Sequence, residues 1–386
     1  MKRNPVRERQ GLAGAAARHE FDFRPGEGIP FWDETAFYQF STSQIEDDLV
    51  APAEEIENLC YEVIARAMED ETVLQRMGVA RFHWDLIADS WQNQERNLYG
   101  RMDFSYSGEG PAKLLEYNAD TPTTLYESAV FQWEWLEEAV VEGLLPDSSD
   151  QFNEVHEKIV EAFSHMGIDS VLHLASNQEI EDDKGTLEYI GECANEAGLL
   201  THVLAMEDIG INGDAQFTDL DDKQITTLFK LYPWEWILAE EFSANISASG
   251  TRFIEPAWRS ILSNKGLLPV LWEMFEGHPN LLPAYFEDDP AADSLGETYV
   301  RKPLNGRQGA NIEIFRDGRL EVSREGPYGD QSHILQAYCP LPEFDGAFPL
   351  IGCWMIASKA VGMGIREDKN LITGTEANFV PHVILD

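Results

Sequence analysis

The chain has 386 residues, of which 43% are hydrophobic, and its formal net charge is −41. A chain of this length buries a large core and is expected to fold as two or three subdomains. The strong negative charge excludes general binding to the phosphate backbone of nucleic acids. Because no run of eighteen apolar residues occurs, we expect no membrane-spanning helix and no membrane partner.

The N-terminal residues are basic and then rich in Gly and Ala, which predicts a flexible tail over residues 1–20 ahead of one folded unit over 21–386. This start is too short and too weakly apolar for a secretory signal. The four cysteines are widely separated, which favours a reducing, cytoplasmic location. They are Cys60, Cys193, Cys339 and Cys353.

The acidic residues are dispersed along the chain rather than gathered in a tail. A hydrated surface that keeps the protein soluble, also in a salty environment, is the simpler interpretation. Attraction of cationic partners such as polyamines is the alternative.

In chain order, the first regular element is an amphipathic helix over residues 43–69. Ser43 and Glu46 have the spacing of a capping box, and Pro52 should kink or split the helix. A shorter helix or a turn is expected over 82–91, and a further helix over 125–142.

Between these helices, two segments alternate polar and apolar residues as half-buried strands do. The pattern puts Arg101 and Asp103 on one face of the first strand, and Glu116 and Asn118 on one face of the second. Carboxylate and amide oxygens at such a point suit a hard cation such as Mg²⁺. An ordinary polar strand pair is the alternative that the spacing leaves open.

The middle of the chain alternates strands and helices, which predicts a small α/β layer with parallel strands. Strands are expected at 169–175, 199–205 and 226–231, and helices at 153–166 and 184–197. The Trp pairs at 133/135 and 234/236 are interpreted as core residues, and stacking platforms are the alternative.

The C-terminal part is predicted to be antiparallel, with strands at 298–303, 311–315 and 320–322. Lys302 ends the first of these, directly before a glycine-containing loop that could bend around the phosphates of a nucleotide. A plain β-hairpin explains the same pattern. Lys265 precedes a helix and Arg366 precedes a further strand, and both could also be ordinary surface cations. Together with the acids near residue 116, these cations suit phosphoryl transfer from ATP to a carboxylate.

Four motifs, taken as a set, resemble the glutathionylspermidine synthetase family, especially its short bacterial members called acid–amine ligases. They are RMDF at 101–104, LEYNADT at 115–121, NKGLLPVLW at 264–272 and KPLNGRQGAN at 302–311. The resemblance covers the chain from about residue 20. It implies a mixed α/β and α+β architecture with an ATP-grasp fold, in which the metal-binding strands precede a lysine-bearing lid at about 265–340.

The resemblance also implies roles for individual residues. Arg101 and Arg366 would be catalytic and contact the transferring phosphate, and Asp103, Glu116 and Asn118 would hold Mg²⁺. Thr121 and Thr123 would lie near a peptide substrate, at positions where bifunctional relatives carry serines, which puts glutathione itself in doubt. The remaining ATP-binding positions would be Met102, Lys265, Lys302, Gln308, Gln336, Ala337, Tyr338 and Cys339.

The sequence therefore predicts a cytoplasmic, Mg²⁺- and ATP-dependent ligase that joins a carboxylate to an amine, a polyamine being one option. No segment resembling the amidase domain of the bifunctional relatives is found in it. The alternative is a nucleotide-binding regulatory protein that acts through partners and forms no amide. The oligomeric state and the identity of both substrates are not readable from the residues.

Overall fold

The computed structural model of the chain describes residues 1–18, 31–177 and 181–386. Its helices are α1 Leu12–Arg18, α2 Thr42–Ile45, α3 Ala51–Glu69, α4 Glu71–Arg76, α5 Trp84–Gln92, α6 Gln132–Val141, α7 Val155–His165, α8 Glu181–Glu196, α9 Trp234–Ile237, α10 Ile246–Ser249, α11 Arg259–Ser263 and α12 Leu267–Met274. In those residues no helix combines the length and the apolar character that crossing a bilayer requires.

The strands form sheets of different kinds, so the protein is a mixed α/β molecule. They are β1 Lys2–Pro5, β2 Ala36–Phe40, β3 Tyr99–Ser105, β4 Lys113–Asn118, β5 Leu172–Ser176, β6 Thr201–Ala205, β7 Gly210–Ile211, β8 Phe217–Thr218, β9 Thr227–Leu231, β10 Arg252–Ile254, β11 Ala284–Phe286, β12 Tyr299–Pro303, β13 Glu313–Arg316, β14 Arg319–Ser323, β15 His333–Ala337, β16 Phe348–Ile356, β17 Lys359–Asp368, β18 Asn378–Val380 and β19 His382–Ile384.

Two antiparallel five-stranded sheets carry most of the polar residues that the motifs point to. The central sheet has the order β18-β17-β16-β3-β4, and the second sheet has the order β11-β15-β12-β13-β14. The second sheet lies within residues 284–337, and we call it the lid sheet. Side chains join the two sheets, since Lys302 Nζ donates to the Leu115 carbonyl at 2.8 Å and Gln336 Nε2 donates to the Leu114 carbonyl at 3.3 Å.

The predicted α/β layer is confirmed as a parallel sheet with the order β10-β9-β5-β6. Its apolar core lies against α7 and α8, with Leu174, Ile190 and Phe229 fully buried. A separate and larger core fills the space between the central sheet and α3, where Ile56, Met102 and other side chains are fully buried.

The N-terminal segment is not a flexible tail over the described residues 1–18, so that prediction is wrong there. β1 pairs antiparallel with β2, whose other edge pairs with β19. Arg9 is buried, and its Nε donates to Glu34 Oε2 at 3.1 Å. Residues 19 and 20 of the predicted tail lie outside the described residues.

The helical stretch predicted over 43–69 begins earlier and in a different way. Ser41, not Ser43, caps α2, and Gln44 completes the capping box in place of Glu46. A π-helical turn at Glu46–Val50 then leads into α3, where Pro52 occupies the first turn. The chain stays helical through this junction, since Val50 and Ala51 have right-handed helical backbone angles and the Ala51 amide donates to the Glu46 carbonyl. Pro52 therefore removes one amide from a continuous helix, directly after the π-helical turn.

Candidate active site

Strands β3 and β4 pair directly, and they bring the predicted metal ligands together. Asp103 lies opposite Glu116, and Arg101 lies opposite Asn118. Asn118 Nδ2 donates to Asp103 Oδ2 at 3.3 Å and to Glu116 Oε1 at 3.2 Å. The same-face arrangement inferred from the alternation is therefore confirmed, because both carboxylates reach one amide group.

Arg101 is held in a fixed orientation beside Asp103. Its Nε and Nη2 donate to Asp103 Oδ1 at 2.6 Å and to Oδ2 at 3.0 Å, and its Nη1 donates to the Thr123 carbonyl. Gly352 of β16 leaves room for this side chain, because a Cβ atom there would lie 2.5 Å from Arg101 Cδ. The guanidinium is thus prepositioned where β4 gives way to the threonine-rich turn.

Arg366 approaches the same carboxylate from β17. Its Nη2 donates to Asp103 Oδ2 at 2.9 Å, so two guanidinium groups share one aspartate. Burial and the neighbouring Arg101 lower the pKa of Arg366 to about 10 although Asp103 opposes the shift. Two guanidinium groups that share one carboxylate carry one positive charge more than the carboxylate balances, so they can bind a further anion.

Glu116 is the anionic centre of a second charge cluster. Lys265 Nζ lies 3.1 Å from Glu116 Oε2 and also donates to the Gly306 carbonyl at 2.8 Å. Burial alone would raise the pKa of Glu116, but Lys265 and Lys302 outweigh it and lower the pKa to about 2. Burial lowers the pKa of Lys302 to about 8 although Glu116 opposes it.

A cavity of about 400 Å³ lies between the central sheet and the lid sheet, and most of these charged side chains line it. The β3–β4 residues Arg101, Asp103, Glu116 and Asn118 line it, as does Arg366. From the lid side it is lined by Lys302 and Gln308, and by the segment Gln336, Ala337, Tyr338 and Cys339. The structure therefore brings the predicted metal ligands and most of the predicted nucleotide residues to one cavity.

Two predicted residues do not line this cavity. Met102 is fully buried in the large hydrophobic core, because neighbouring residues of a strand face opposite sides. A contact between its side chain and a nucleotide is therefore not supported. Lys265 lies behind Glu116, and it reaches the site through that carboxylate and the Gly306 carbonyl.

The glycine loop closes one end of the cavity against a segment that follows β17. Gly309 has φ +74°, and a Cβ atom there would lie 2.7 Å from the Thr373 carbonyl oxygen and 2.8 Å from Ile372 Cγ2. Only glycine fits both this backbone conformation and this approach. No local pattern in the sequence connects residues 371–373 with the loop, because the contact is long-range.

Arg307 and Trp236 are wall residues that sequence reasoning missed. The Arg307 guanidinium carbon lies 5.6 Å from the Trp236 ring centroid, and its Nη2 lies 3.5 Å from Glu235 Oε1. Arg307 Nε is buried and has no hydrogen-bond partner among the described residues. Arg307 lies within the glycine motif at 302–311, and that position is a signal from which it could have been predicted as a site residue. Trp236 was assigned to the core, although its neighbour Trp234 is the buried one.

The threonine-rich turn forms the wall beyond Asn118. Thr121 and Thr123 both line the cavity, and Thr121 Oγ1 is buried without a hydrogen-bond partner among the described residues. Asp120 anchors the turn from behind, since it pairs with the buried Lys230 and accepts from the Trp234 amide at 2.8 Å. The turn thus presents hydroxyl groups to the cavity from a fixed backbone.

The donor set fits Mg²⁺ in chemistry, although the described residues contain no group of three or more His, Cys, Asp or Glu side chains suited to a metal ion. Mg²⁺ is commonly held by one or two carboxylates together with substrate phosphates, so Asp103, Glu116 and an amide are a sufficient protein contribution. Both carboxylates are neutralised here by arginine and lysine side chains.

Comparisons with known proteins agree with this geometry. A family model described as "Glutathionylspermidine synthase preATP-grasp" matches residues 3–385. A Haemophilus influenzae protein named "Putative acid–amine ligase" is 39% identical over 378 residues, which are 94% of this chain and 93% of that protein. Trypanothione synthetase of Crithidia fasciculata is 29% identical over 357 residues, which are 86% of this chain and 54% of that protein.

Among solved structures, a glutathione synthetase-like effector from Globodera pallida superimposes with a TM-score of 0.58. The sequence identity is 10%, and the match covers 98% of both chains. At this identity the likeness establishes the fold alone.

Proposed function

Because the chain belongs to the glutathionylspermidine synthase preATP-grasp family, we propose that it is an ATP-dependent ligase that joins a carboxylic acid to an amine. The observation that carries this proposal is the cavity between the two antiparallel sheets. It gathers cations for phosphate groups and acidic side chains for a metal ion, and it extends past these to a wall where Thr121 Oγ1 and Arg307 Nε have no hydrogen-bond partner among the described residues.

The proposed reaction has two steps. A carboxylate oxygen of the acid attacks the γ-phosphorus of ATP, which forms an acyl phosphate and releases ADP. The amine then attacks the acyl carbon, phosphate leaves, and a proton from the amine is released. Arg101 and Arg366 would stabilise the negative charge that develops during phosphoryl transfer, since both guanidinium groups line the cavity.

Asp103, Glu116 and Asn118 would hold Mg²⁺ in this scheme. The metal would neutralise phosphate charge and orient the γ-phosphate. Asn118 now turns its amide nitrogen towards both carboxylates, and rotating the amide by half a turn would turn its oxygen there instead. Lys265 and Lys302, released from Glu116, would then be available to phosphates.

The lid at residues 265–340 would form the nucleotide site of an ATP-grasp fold. Lys302 and Gln308 would lie over the phosphates, and Gln336, Ala337, Tyr338 and Cys339 would run past the adenine. The apolar Val300, Ile314 and Leu350 also line the cavity, which suits a flat base. The four cysteines are free thiols, which fits work in a reducing cytoplasm.

The acid would lie against Thr121 and Thr123, with its free carboxylate near Arg307. Threonine keeps the hydroxyl group but adds a methyl group, so we propose a peptide or peptide-like acid other than glutathione. A cationic amine, including a polyamine, would be drawn by the net charge of −41.

The test is an amide-formation screen with the purified protein, Mg²⁺ and ATP, against crossed panels of peptides and amines. Mass spectrometry should detect an amide only in wells that contain both an acid and an amine. The variant Lys302→Ala should abolish the product, and Lys359→Ala, on the exposed surface, should not. Binding of ATP without any amide across the panel would instead favour the regulatory alternative.

A further inference from the structure

We propose that Arg259 is a positioning residue, which fixes the ends of strands β3 and β4 and thereby sets the geometry of the Arg101–Asn118 pair. The inference rests on the proposed function, because it concerns the alignment of the metal and phosphate ligands. Arg259 begins α11, is fully buried and does not line the cavity. Any effect it has on the reaction must therefore pass through other residues.

The guanidinium lies where the hydrogen-bonded ladder between β3 and β4 ends. The last paired residues of the ladder are Arg101 and Asn118. Just beyond them, Arg259 Nη2 donates to the Tyr99 carbonyl at 3.0 Å, and Arg259 Nε donates to the Ala119 carbonyl at 2.9 Å. One rigid, planar group therefore bridges both strands in place of the next backbone pair.

Helix α11 binds both peptide groups that flank Ala119, the residue after Asn118. Ser263 Oγ, one helical turn after Arg259, accepts from the Ala119 amide at 2.9 Å. The amide and the carbonyl of Ala119 are thus both bonded to one face of the same short helix. Since Asn118 precedes Ala119 directly and Asp120 follows it, these two hydrogen bonds fix the position of both side chains.

The β3 end is held in the same way. Glu255 Oε1 accepts from the Tyr99 amide at 2.8 Å, while Arg259 donates to the Tyr99 carbonyl. Glu255 and Arg259 are themselves an ion pair, with Glu255 Oε2 3.5 Å from Arg259 Nε. The Glu255–Arg259 ion pair therefore binds the backbone at the ends of both strands. At the β3 end it binds Tyr99, which lies two residues before Arg101.

Gly100 leaves the space that the Arg259 guanidinium occupies beside the strand end. A Cβ atom at Gly100 would lie 2.5 Å from Arg259 Nη2 and 2.9 Å from Tyr117 Cε2. Any larger residue between Tyr99 and Arg101 would displace the guanidinium from the strand end. The glycine and the arginine are therefore parts of one device.

The charge of Arg259 is compensated behind the sheet. Its Nη1 donates to the buried Glu57 Oε1 at 3.2 Å, and Tyr117 Oη accepts from Nη2 at 3.0 Å. Removing the guanidinium would leave two buried carboxylates without their cation, which is strongly destabilising. A sharp test therefore keeps the charge and changes only the geometry.

Arg259→Lys is the first variant, because an ammonium group keeps the charge but cannot reproduce the planar bridge to both carbonyls. We expect binding of Mg²⁺–ATP, measured by calorimetry, to weaken by about 10- to 100-fold. Amide hydrogen exchange in the absence of nucleotide should rise in residues 99–105 and 113–124, with β5 and β9 unchanged. Unchanged nucleotide affinity and unchanged exchange in the β3–β4 segment would overturn the proposal.

Gly100→Ala is the second variant, and it applies if Arg259→Lys fails to fold. Its matched control is Gly191→Ala in α8, where an added Cβ atom would meet only Leu174 Cδ1 at 3.9 Å. Gly100→Ala should reproduce the local rise in exchange and the loss of nucleotide affinity, and the control should show neither. A rise in exchange spread evenly over the protein would assign Arg259 to general stability and refute the positioning role. If the wild-type protein binds no Mg²⁺–ATP, the proposed function fails, while the exchange pattern still tests the bridge.

Discussion

At the scale of single residues, the site is a set of charges that compensate one another. Asp103 is shared by Arg101 and Arg366, and Glu116 lies between Lys265 and Lys302. Asp103, Glu116, Arg101, Arg366 and Lys265 each have an opposite charge within 3.1 Å, and Lys302 is held by the Leu115 carbonyl and by the nearby charge of Glu116, which stabilises these buried charges. Binding of a metal nucleotide would exchange these internal pairs for pairs with the ligand, without bringing new unpaired charge into the protein.

Lys302 should make stability depend on pH in the nucleotide-free protein. Its pKa of about 8 lies below the ordinary 10.5, so the unfolded chain binds more protons between these values. The contribution of Lys302 to the free energy of unfolding should therefore rise as pH increases from 8 to 10.5, by up to about 3 kcal/mol. Buried thiols and tyrosines with raised pKa act in the opposite direction, so this contribution is read from the difference between the wild type and a Lys302 variant. Lys302→Met should lack this rise in urea titrations at several pH values, and Lys359→Met should retain it. A stability difference between the wild type and Lys302→Met that does not grow across this window would contradict the assignment.

Glu116→Gln tests the metal role of the carboxylate. The amide keeps the shape of the side chain but loses the charge that attracts a cation, so the Mg²⁺ requirement for nucleotide binding should rise about tenfold or more. Titration of Mg²⁺ at fixed ATP measures the requirement, and thermal unfolding measures stability. If the Mg²⁺ requirement rises only together with a comparable loss of thermal stability, Glu116 has a structural role and the metal assignment is wrong.

The residue types of the site were predictable, but their partners were not. Alternation in two strands was enough to put Asp103, Glu116 and Asn118 on one face. The pairing of Asp103 with Arg366 joins residues 263 positions apart, and no local pattern reports such a contact. Arg307 was passed over because a single arginine in a glycine loop looks the same whether it faces solvent or a cavity.

At the scale of elements, the cavity depends on a loop that fits closely against another loop. The predicted antiparallel strands around Lys302 are confirmed, with β12 paired to β13 and β13 paired to β14. The sequence could not predict that the turn after Lys302 packs on residues 371–373. The only sign of such a close backbone contact in the sequence is a glycine. This sign is not specific, because many glycines serve ordinary turns.

Gly309→Ala should impair closure of the cavity. Gly309 and Gly346 both have positive φ angles, +74° and +82°, but a Cβ atom at Gly346 would meet nothing within 4 Å. Gly346→Ala therefore carries the backbone strain alone, about 1 kcal/mol. Gly309→Ala adds a collision with Thr373, so we expect weaker nucleotide binding than in the control at a similar melting temperature. Equal nucleotide affinities in the two variants would show that the loop contact is dispensable.

At the scale of the whole molecule, the N-terminus is part of the structure that supports the site. Arg3 in β1 donates from Nε and Nη2 to the two carboxylate oxygens of Glu367, at 2.8 and 3.0 Å. Glu367 is the neighbour of Arg366, and it also accepts from Tyr38 Oη at 2.6 Å. From its sequence alone, this basic and weakly apolar segment is predicted to be a flexible tail. That prediction fails because the segment is ordered by pairing with β2 and by the ion pair with Glu367, which lies far along the chain.

Arg3→Ala should destabilise the protein more than a comparable surface change. The bidentate pair with Glu367 is largely shielded from water, so its loss should cost about 1–3 kcal/mol. Arg7→Ala is the control, because Arg7 is half exposed in its pair with Glu142 and should cost at most about 1 kcal/mol. Chemical denaturation compares the two. Equal stabilities would return residues 1–5 to the status of a tail.

The central claim is that this protein forms an amide through an acyl phosphate, and transfer of a labelled oxygen tests it most directly. The acid substrate identified in the screen would carry ¹⁸O in its carboxylate, and the reaction would be run with ATP, Mg²⁺ and the amine. We predict ADP as the nucleotide product and one ¹⁸O atom in the released inorganic phosphate, because the carboxylate oxygen that attacks phosphorus leaves with it. Release of AMP and pyrophosphate, with the label in AMP, would contradict this account.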